Sequence, residues 1–296
     1  MSKIVLIDAY SQIYRLFFAM RMLNDSQGRP VNALFGMMRL LMQLEDKAPS
    51  DFGALVFDKG KPVRRVELCP EYKAQRPPMP DDLRRQVEPI KELAKAFGWS
   101  ILMQEGLEAD DIIAAVARRR GDAEVAIITH DKDIAQLTAD AGIMLMTPES
   151  GNTWQCTGRE GTREKFGVEP ELLGDYLALV GDTADNIMGV AGIGPKTAAS
   201  MLNQYGSLAG ILENPDVIEN KRIVAKIQDN KELLQRNMKL VALDDVLPEG
   251  CVMPEGIRRR RPDWDKILQL AKDSNFKSLF AEIEKRGGSF QQETFL

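Results

Sequence analysis

The sequence predicts an α/β fold: a mostly parallel central sheet with helices on both faces, followed by a smaller, helical domain. Three observations carry that prediction. Short apolar runs, KIVLID at 3–8, DFGALVFD at 51–58 and VAIIT at 125–129, read as buried strands. Helix-patterned sequence alternates with them, the order that builds a doubly wound sheet. A chain of 296 residues is long for one domain and suits one large domain plus a smaller one.

The first run ends in Asp8 and gives way to a helix carrying Tyr14, Arg15, Phe17 and Phe18, with a second helix over about 31–44. The second run ends in Asp58, and the third leads into His130-Asp131-Lys132-Asp133. One strand-end aspartate is an ordinary turn or cap residue. Three such strand ends point to a site, because these sheets bind ligands outside the carboxyl ends of their strands. Glu108, Asp110 and Asp111 open a helix over 108–119. Acids there favour the helix macrodipole. Yet Glu108 and Asp111 share a face, with Asp110 beside them, and carboxylates this close repel unless a cation lies between them.

Asp182 and Asp185 stand three apart in a Gly-Asp-x-x-Asp-Asn turn, and the sequence suggests no basic partner for them. GVAGIGPKTAA follows at 189–199. Gly189, Gly192 and Gly194 let the backbone approach a ligand or take positive φ. Pro195 suits a first helical turn, and the N–H groups left free there favour an anion. Lys196 and Thr197 add a cation and a hydroxyl. The stretch reads as a hairpin between helices at 169–180 and 195–204 that holds a phosphate backbone, through Val190 and Ile193 as well as the glycines, without reading bases. A plain glycine-rich turn with a solvated lysine is the alternative; the adjacent acid pair argues against it.

Nine acids are thus gathered: Asp8, Asp58, Glu108, Asp110, Asp111, Asp131, Asp133, Asp182 and Asp185. Hard oxygen donors, completed by water, suit magnesium or manganese. Nine are too many for one ion. Two ions roughly 4 Å apart would use them, an arrangement suited to in-line attack on a phosphodiester. The net charge of −5 becomes +4 once these nine are set aside, so local patches inform more than the total.

Composition bounds the rest. Hydrophobic content of 44% and charged content of 28% fit a soluble globular protein. No apolar run approaches the roughly 20 residues of a membrane span, and MSKIVLID is too short for a signal peptide. Cys69, Cys156 and Cys251 are far apart and odd in number, which argues for a reducing cytoplasm and against disulfides or zinc. His130 is the only histidine, so a multi-histidine metal site is excluded. It reads as a hydrogen-bonded bystander, with contact to metal-held water as the alternative.

Residues 59–85 are basic and proline-rich, with Tyr72 among Arg64, Arg65, Lys73 and Arg76. Cations with an aromatic suit a single nucleic-acid strand through phosphate contact and stacking. A flexible linker would share the composition. Its place directly after Asp58 favours a gate over the acid cluster.

Together, VLID, LVFD, PEYKAQRPPMPDDL, EADD, ITHDKD and LVGDTADNIMGVAGIGPKTAA resemble the 5′-nuclease (flap endonuclease) family over about residues 2–286. The likeness is narrower to the 5′–3′ exonuclease domain of bacterial DNA polymerase I and its stand-alone relatives. It implies a PIN-like catalytic domain at 1–180 with a helical arch at about 59–85, and a helix–three-turn–helix domain at 181–286 that grips duplex DNA and binds a potassium ion. It implies two metal groups, Asp8, Asp58, Glu108 and Asp110 with Asp111, then Asp131, Asp133, Asp182 and Asp185, serving two Mg2+ or Mn2+. Lys73 and Arg76 match arch positions that engage the scissile phosphate, as cations should, and Tyr72 is a nearby arch residue. The implied substrates are DNA flaps, nicks or overhangs, including RNA-primed DNA, cut by a monomer. The chain departs from the family at His130, where glycine or serine is frequent, at Arg64-Arg65-Val66, and at Cys69, where an aromatic is common. No polymerase domain follows, so the enzyme is expected to act without a tethered synthesis partner.

Beyond the hairpin, 206–245 reads as short helices, and the four arginines at 258–261 as a solvated run or a duplex contact. Residues 287–296 read as a flexible tail. Its end, QETFL from Gln292 to Leu296, resembles the short peptide that bacterial replication proteins dock into the sliding clamp. Rival readings are weaker. A PIN-type RNase would lack the hairpin. A haloacid-dehalogenase-like phosphatase needs an aspartate where Tyr10 stands, and a non-catalytic DNA-binding module would lack acids.

Overall fold

The computed structural model describes residues 2–149 and 153–293. Six strands form one sheet: β1 (Lys3–Asp8), β2 (Phe52–Val56), β3 (Ser100–Leu102), β4 (Glu124–Ile128), β5 (Ile143–Pro148) and β6 (Trp154–Thr157). Their order is β3-β2-β1-β4-β5-β6, with every pair parallel except β5–β6. The expected parallel sheet is present; the antiparallel edge strand β6, and β3 and β5, are additions to the sequence reading.

Alternation along the strands builds two cores. Ile4, Leu6, Ala54, Val56, Val125 and Ile127 face α5 (Ala109–Arg118) and the helical domain. Val5, Ile7, Leu55, Ala126 and Ile128 face α1 (Ala9–Ala19), α2 (Asn32–Lys47) and α4 (Asp81–Ala96). Burial on both faces explains why β1 and β2 are apolar without alternation. A short helix, α3 (Val63–Leu68), stands between β2 and α4. The segment expected as an arch is therefore α3, a run of turns over 70–76 and the start of α4.

The sheet's strand order reverses between β1 and β4, which opens a crevice at their carboxyl ends. Asp8 ends β1 there. Asp58 follows β2, and Asp131 follows β4.

After α6 (Arg159–Phe166) the chain enters the helical domain. It comprises α7 (Leu173–Val180), a two-stranded ladder of β7 (Gly181–Asp182) and β8 (Ile187–Met188), α8 (Pro195–Tyr205), α9 (Leu208–Glu213), α10 (Lys221–Asp229) and α11 (Lys231–Val241). The helix expected over 169–180 is a 3-10 turn at Pro170–Leu172 followed by α7. One hydrophobic core runs without a break from the sheet into these helices.

The chain then returns to the first domain. Arg259 N donates to Asp51 O at 2.9 Å and Arg260 N to Gly98 O at 2.9 Å. The Arg259 guanidinium stacks 4.1 Å from the Trp99 ring centroid and binds Glu45 and the Phe97 carbonyl. Arg258 lies over Phe52. The Arg259 side chain is thus packed against the edge of the sheet and is not part of a solvated run, whereas 59% of the Arg258 side chain stays exposed. α12 (Trp264–Asp273) and α13 (Phe280–Glu293) close the second core. A Cβ at Gly287 would sit 3.2 Å from Trp264 Cβ, so a glycine lets α13 lie close to α12. Helix α13 takes in most of the stretch expected as a tail, and residues 294–296 of the clamp-like peptide lie outside the described residues. No helix among the described residues is long and apolar enough to cross a membrane.

Candidate metal centre and nucleic-acid interface

Asp8 caps α1, accepting from Ser11 N at 3.1 Å, while the Thr129 hydroxyl donates to its other oxygen at 2.8 Å. Thr129 Oγ1 also accepts from Asp131 N at 2.9 Å, so one threonine ties the ends of β1 and β4 together. Asp58 Oδ1 accepts Ala109 N at 2.7 Å and so fixes the start of α5 against β2. Asp8, Asp58, Asp110 and Asp131 line one cavity of about 680 Å3, with Lys73, Arg76, Tyr10, Tyr14 and His130 on its walls.

On the neighbouring side, oxygens of Asp133, Asp182 and Asp185 lie within 4.8 Å of one another. Asp133 Oδ1 is enclosed without a hydrogen-bond partner among the described residues. Burial pushes the Asp8 carboxyl up to about 7, helped by Asp58. Burial pushes Asp133 up to about 8, helped by Asp131 and Asp185. Asp110 is raised by burial and then by Asp131 and Asp8. Asp58 and Asp131 are raised chiefly by burial. Enclosed, mutually repelling oxygens with an orphaned acceptor fit hard divalent cations, which would supply the missing positive charge.

The cations come from two places. Lys73 binds Glu108 and lies 3.4 Å from Asp185; Arg76 Nη2 lies 2.6 Å from Asp185 Oδ1. Burial works against the charge on Lys73, but Glu108 and Asp185 outweigh it and hold its pKa above the usual lysine value. Lys73 sits at φ +54°, unusual for a lysine, pinned by its N–H to Asp185 O at 3.0 Å. Lys132 Nζ lies 3.0 Å from Asp182 Oδ1. Asp182 and Asp185 therefore do have basic partners, which lie far away in sequence. Asn186 and Gln75 add bonds between the 59–85 segment, a strap over the acids, and the turn that carries Asp182 and Asp185.

Other expected residues fall elsewhere. Asp111 is turned from the cluster into a bidentate pair with Arg65, at 2.6 and 2.9 Å. Arg65 is buried, not solvent-facing, and Arg64 binds the carbonyls of Lys239 and Ala242 and the Asp244 carboxylate. Both arginines hold protein because the end of α11 offers them carbonyls. Tyr72 is buried too, its hydroxyl donating to Glu108 and Asp185, so it presents no stacking face. Glu108 is gripped by Arg65, Tyr72 and Lys73.

In the hairpin, a Cβ at Gly189 would lie 2.1 Å from Val180 O, so only glycine lets the turn close on α7. Gly192 takes φ +75°. Val190 and Ile193 are buried, and their amides bond Leu179 O and Val190 O, so they anchor the turn instead of facing a ligand. Gly194 caps α8, where Lys196 is exposed and, with Thr197 and Ser200, lines a cavity of about 430 Å3. His130 Nδ1 lies 3.1 Å from Gln12 Nε2, and its pKa is lowered to about 4 by burial and by Arg15 and Lys165. It also lines the acid cavity, so the hydrogen bond to Gln12 does not decide between the two readings of this residue. Thr129 and Lys132, both inside the ITHDKD motif, carry roles that the sequence does not signal.

This geometry has close relatives. The 5′–3′ exonuclease N-terminal resolvase-like domain matches residues 3–167, and the 5′–3′ exonuclease C-terminal SAM fold matches residues 168–265. A 5′–3′ exonuclease of Aquifex aeolicus is 37% identical over 287 residues, 96% of each chain. DNA polymerase I of Pseudomonas aeruginosa is 38% identical over 98% of this chain, which spans 33% of that protein. Among solved structures, the T5 D15 protein co-crystallised with metal ions matches with a TM-score of 0.69 at 20% identity, covering 95% of this chain and 99% of that one. The catalytic core of Rad2 in complex with DNA substrate matches at 0.60 and 19%, over 92% and 87%. These two likenesses speak to fold. With both of its domains present in order over residues 3–265, the chain belongs to the 5′–3′ exonuclease family.

Proposed function

We propose that this protein is a divalent-metal-dependent 5′ nuclease that hydrolyses DNA phosphodiesters near 5′ ends, at junctions of single strand and duplex. The observation that carries the reading is the convergence of Asp133, Asp182 and Asp185 beside the cavity of Asp8, Asp58, Asp110 and Asp131, at the carboxyl ends of parallel strands. Asp8, Asp58, Glu108 and Asp110 hold one Mg2+ or Mn2+, and Asp131, Asp133, Asp182 and Asp185 a second. Such ions supply Lewis acidity to the phosphodiester and to the attacking water.

The protein's own groups do the rest. Lys73 and Arg76, on the strap beside the cavity, hold the scissile phosphate and stabilise the charge that develops on it. The hairpin from Gly189 to Thr197 holds the downstream duplex by its phosphates, with potassium as its companion ion. The strap from 59 to 85 admits the 5′ strand. RNA-primed DNA is a further substrate, and the protein works as a cytoplasmic monomer. The peptide at 292–296 docks on a sliding clamp; its deletion should abolish clamp pulldown, and unchanged pulldown would remove the idea.

The test is cleavage of end-labelled flap, nicked, overhang and RNA-primed duplexes with magnesium. Release of 5′ products from flaps and nicks, and none from unstructured single strands, is expected. Equal cutting of duplex and unstructured strands would overturn the junction reading.

A further inference from the structure

Arg65 lies at the seam between the two domains, 4% exposed. Its guanidinium makes five bonds, one for each N–H it owns. Nη1 donates to Glu108 Oε2 and Asp111 Oδ2, both at 2.6 Å, and Nη2 to Asp111 Oδ1 at 2.9 Å. Nε donates to Leu240 O and Nη2 to Ala242 O, each at 2.9 Å. Those carbonyls belong to the end of α11. Higher in the same helix, Asn237 Nδ2 donates to Ala178 O at 3.0 Å and Met188 O at 2.8 Å, which holds both sides of the turn carrying Asp182 and Asp185. One side chain therefore joins Glu108 directly to the helix that supports the hairpin.

We propose that Arg65 is a positioning residue: it sets Glu108, and through it the first metal group, in register with the helices that grip the duplex. The inference rests on the metal-nuclease reading above. A planar fork fixes the direction of both partners at once, which a lysine's point charge does not. Glu108 has no cap bond to its own helix. Its carboxylate depends on Arg65, Tyr72 and Lys73; Tyr72 and Lys73 also reach Asp185, whereas Arg65 ties Glu108 to the carbonyls that end α11. Groups that orient metal ligands typically matter about 10–100-fold in metal affinity or activity.

The test compares Arg65→Ala and Arg65→Lys with Asp244→Ala, which breaks the Arg64 pair on the same seam without touching Glu108. Four quantities are read: kcat, the magnesium concentration at half-maximal rate, flap affinity in EDTA, and melting temperature. Arg65→Ala should raise the magnesium requirement or lower kcat by about 10–100-fold, with flap affinity in EDTA unchanged. Arg65→Lys should recover only part of the loss, and Asp244→Ala should lower the melting temperature alone. If Arg65→Ala lowers only the melting temperature, or if Asp244→Ala shifts the magnesium requirement as far, Arg65 is a staple and the proposal fails. Should Arg65→Ala not fold, wild-type kcat and magnesium requirement in Arg65→Lys would overturn it. The rate of the unaltered protein in the same series reports on the nuclease reading separately.

Discussion

The Tyr72 hydroxyl donates to Asp185 Oδ2 at 2.8 Å across 113 positions of sequence. It also reaches both oxygens of Glu108, at 3.2 and 3.3 Å. One phenol, carried on the strap itself, thus braces an acid from each proposed metal group. Tyr72→Phe should lower stability by about 1–3 kcal/mol, because the single buried donor shared by the two carboxylates is lost. It should also reduce kcat while leaving flap affinity unchanged. Denaturant melts and single-turnover rates check this; an unchanged rate would remove Tyr72 from the site's support.

In the proposed function Lys73 and Arg76, which line the acid cavity, act on the substrate. Replacing either by alanine should lower kcat by about 10²–10³, the usual loss of one preorganised charge-stabilising donor. Both now neutralise Asp185, so divalent-ion affinity should not fall with them. Single-turnover cleavage against calorimetric metal binding separates the two effects. A loss confined to metal affinity would contradict the role given to them.

Asp182 has a different signature. Asp182→Ala should abolish cleavage and leave flap binding nearly intact, since the hairpin helices are untouched. Anisotropy with a labelled flap, beside a cleavage assay, measures both. Full activity in that variant would refute the role.

The raised carboxyls set a pH dependence in chelator. Asp8 and Asp133 move from the ordinary 3.8 up to about 7 and about 8 in the folded protein. The folded state therefore holds protons that the unfolded chain releases, and stability falls as pH rises from about 4 to about 8. Melting in EDTA should occur at lower temperature at pH 8 than at pH 5.5, and Asp133→Asn should flatten that slope. Magnesium should flatten it as well. A melting temperature that climbs through this window in EDTA would show that the acids do not repel as described.

The legible parts of the molecule were those written locally. β1 coincides with the predicted run because a parallel strand buried on both faces is a continuous apolar stretch, and the acids stand at its end and its neighbours'. β3 has only three residues, and β5 is rich in methionine, so neither carries a strong strand signal. Pro89 and the proline-rich approach concealed α4. Arg64 and Arg65 read as surface cations since nothing nearby reveals carbonyls 175 residues away. Helix spacing puts Asp111 beside Glu108, and both meet Arg65, but only packing decides which way each turns. The bracing by Tyr72, Thr129 and Lys132 is likewise a property of distant segments meeting.

The central claim is that aspartates and a glutamate from both domains capture a pair of divalent ions on which cutting depends. Manganese titration, with free ion counted by electron paramagnetic resonance and flap cleavage followed in parallel, tests it most directly. The account predicts two ions per chain, loss of one in Asp182→Ala, and no cleavage in EDTA. A chain that binds no manganese, or that cuts flaps undiminished in EDTA, would contradict it.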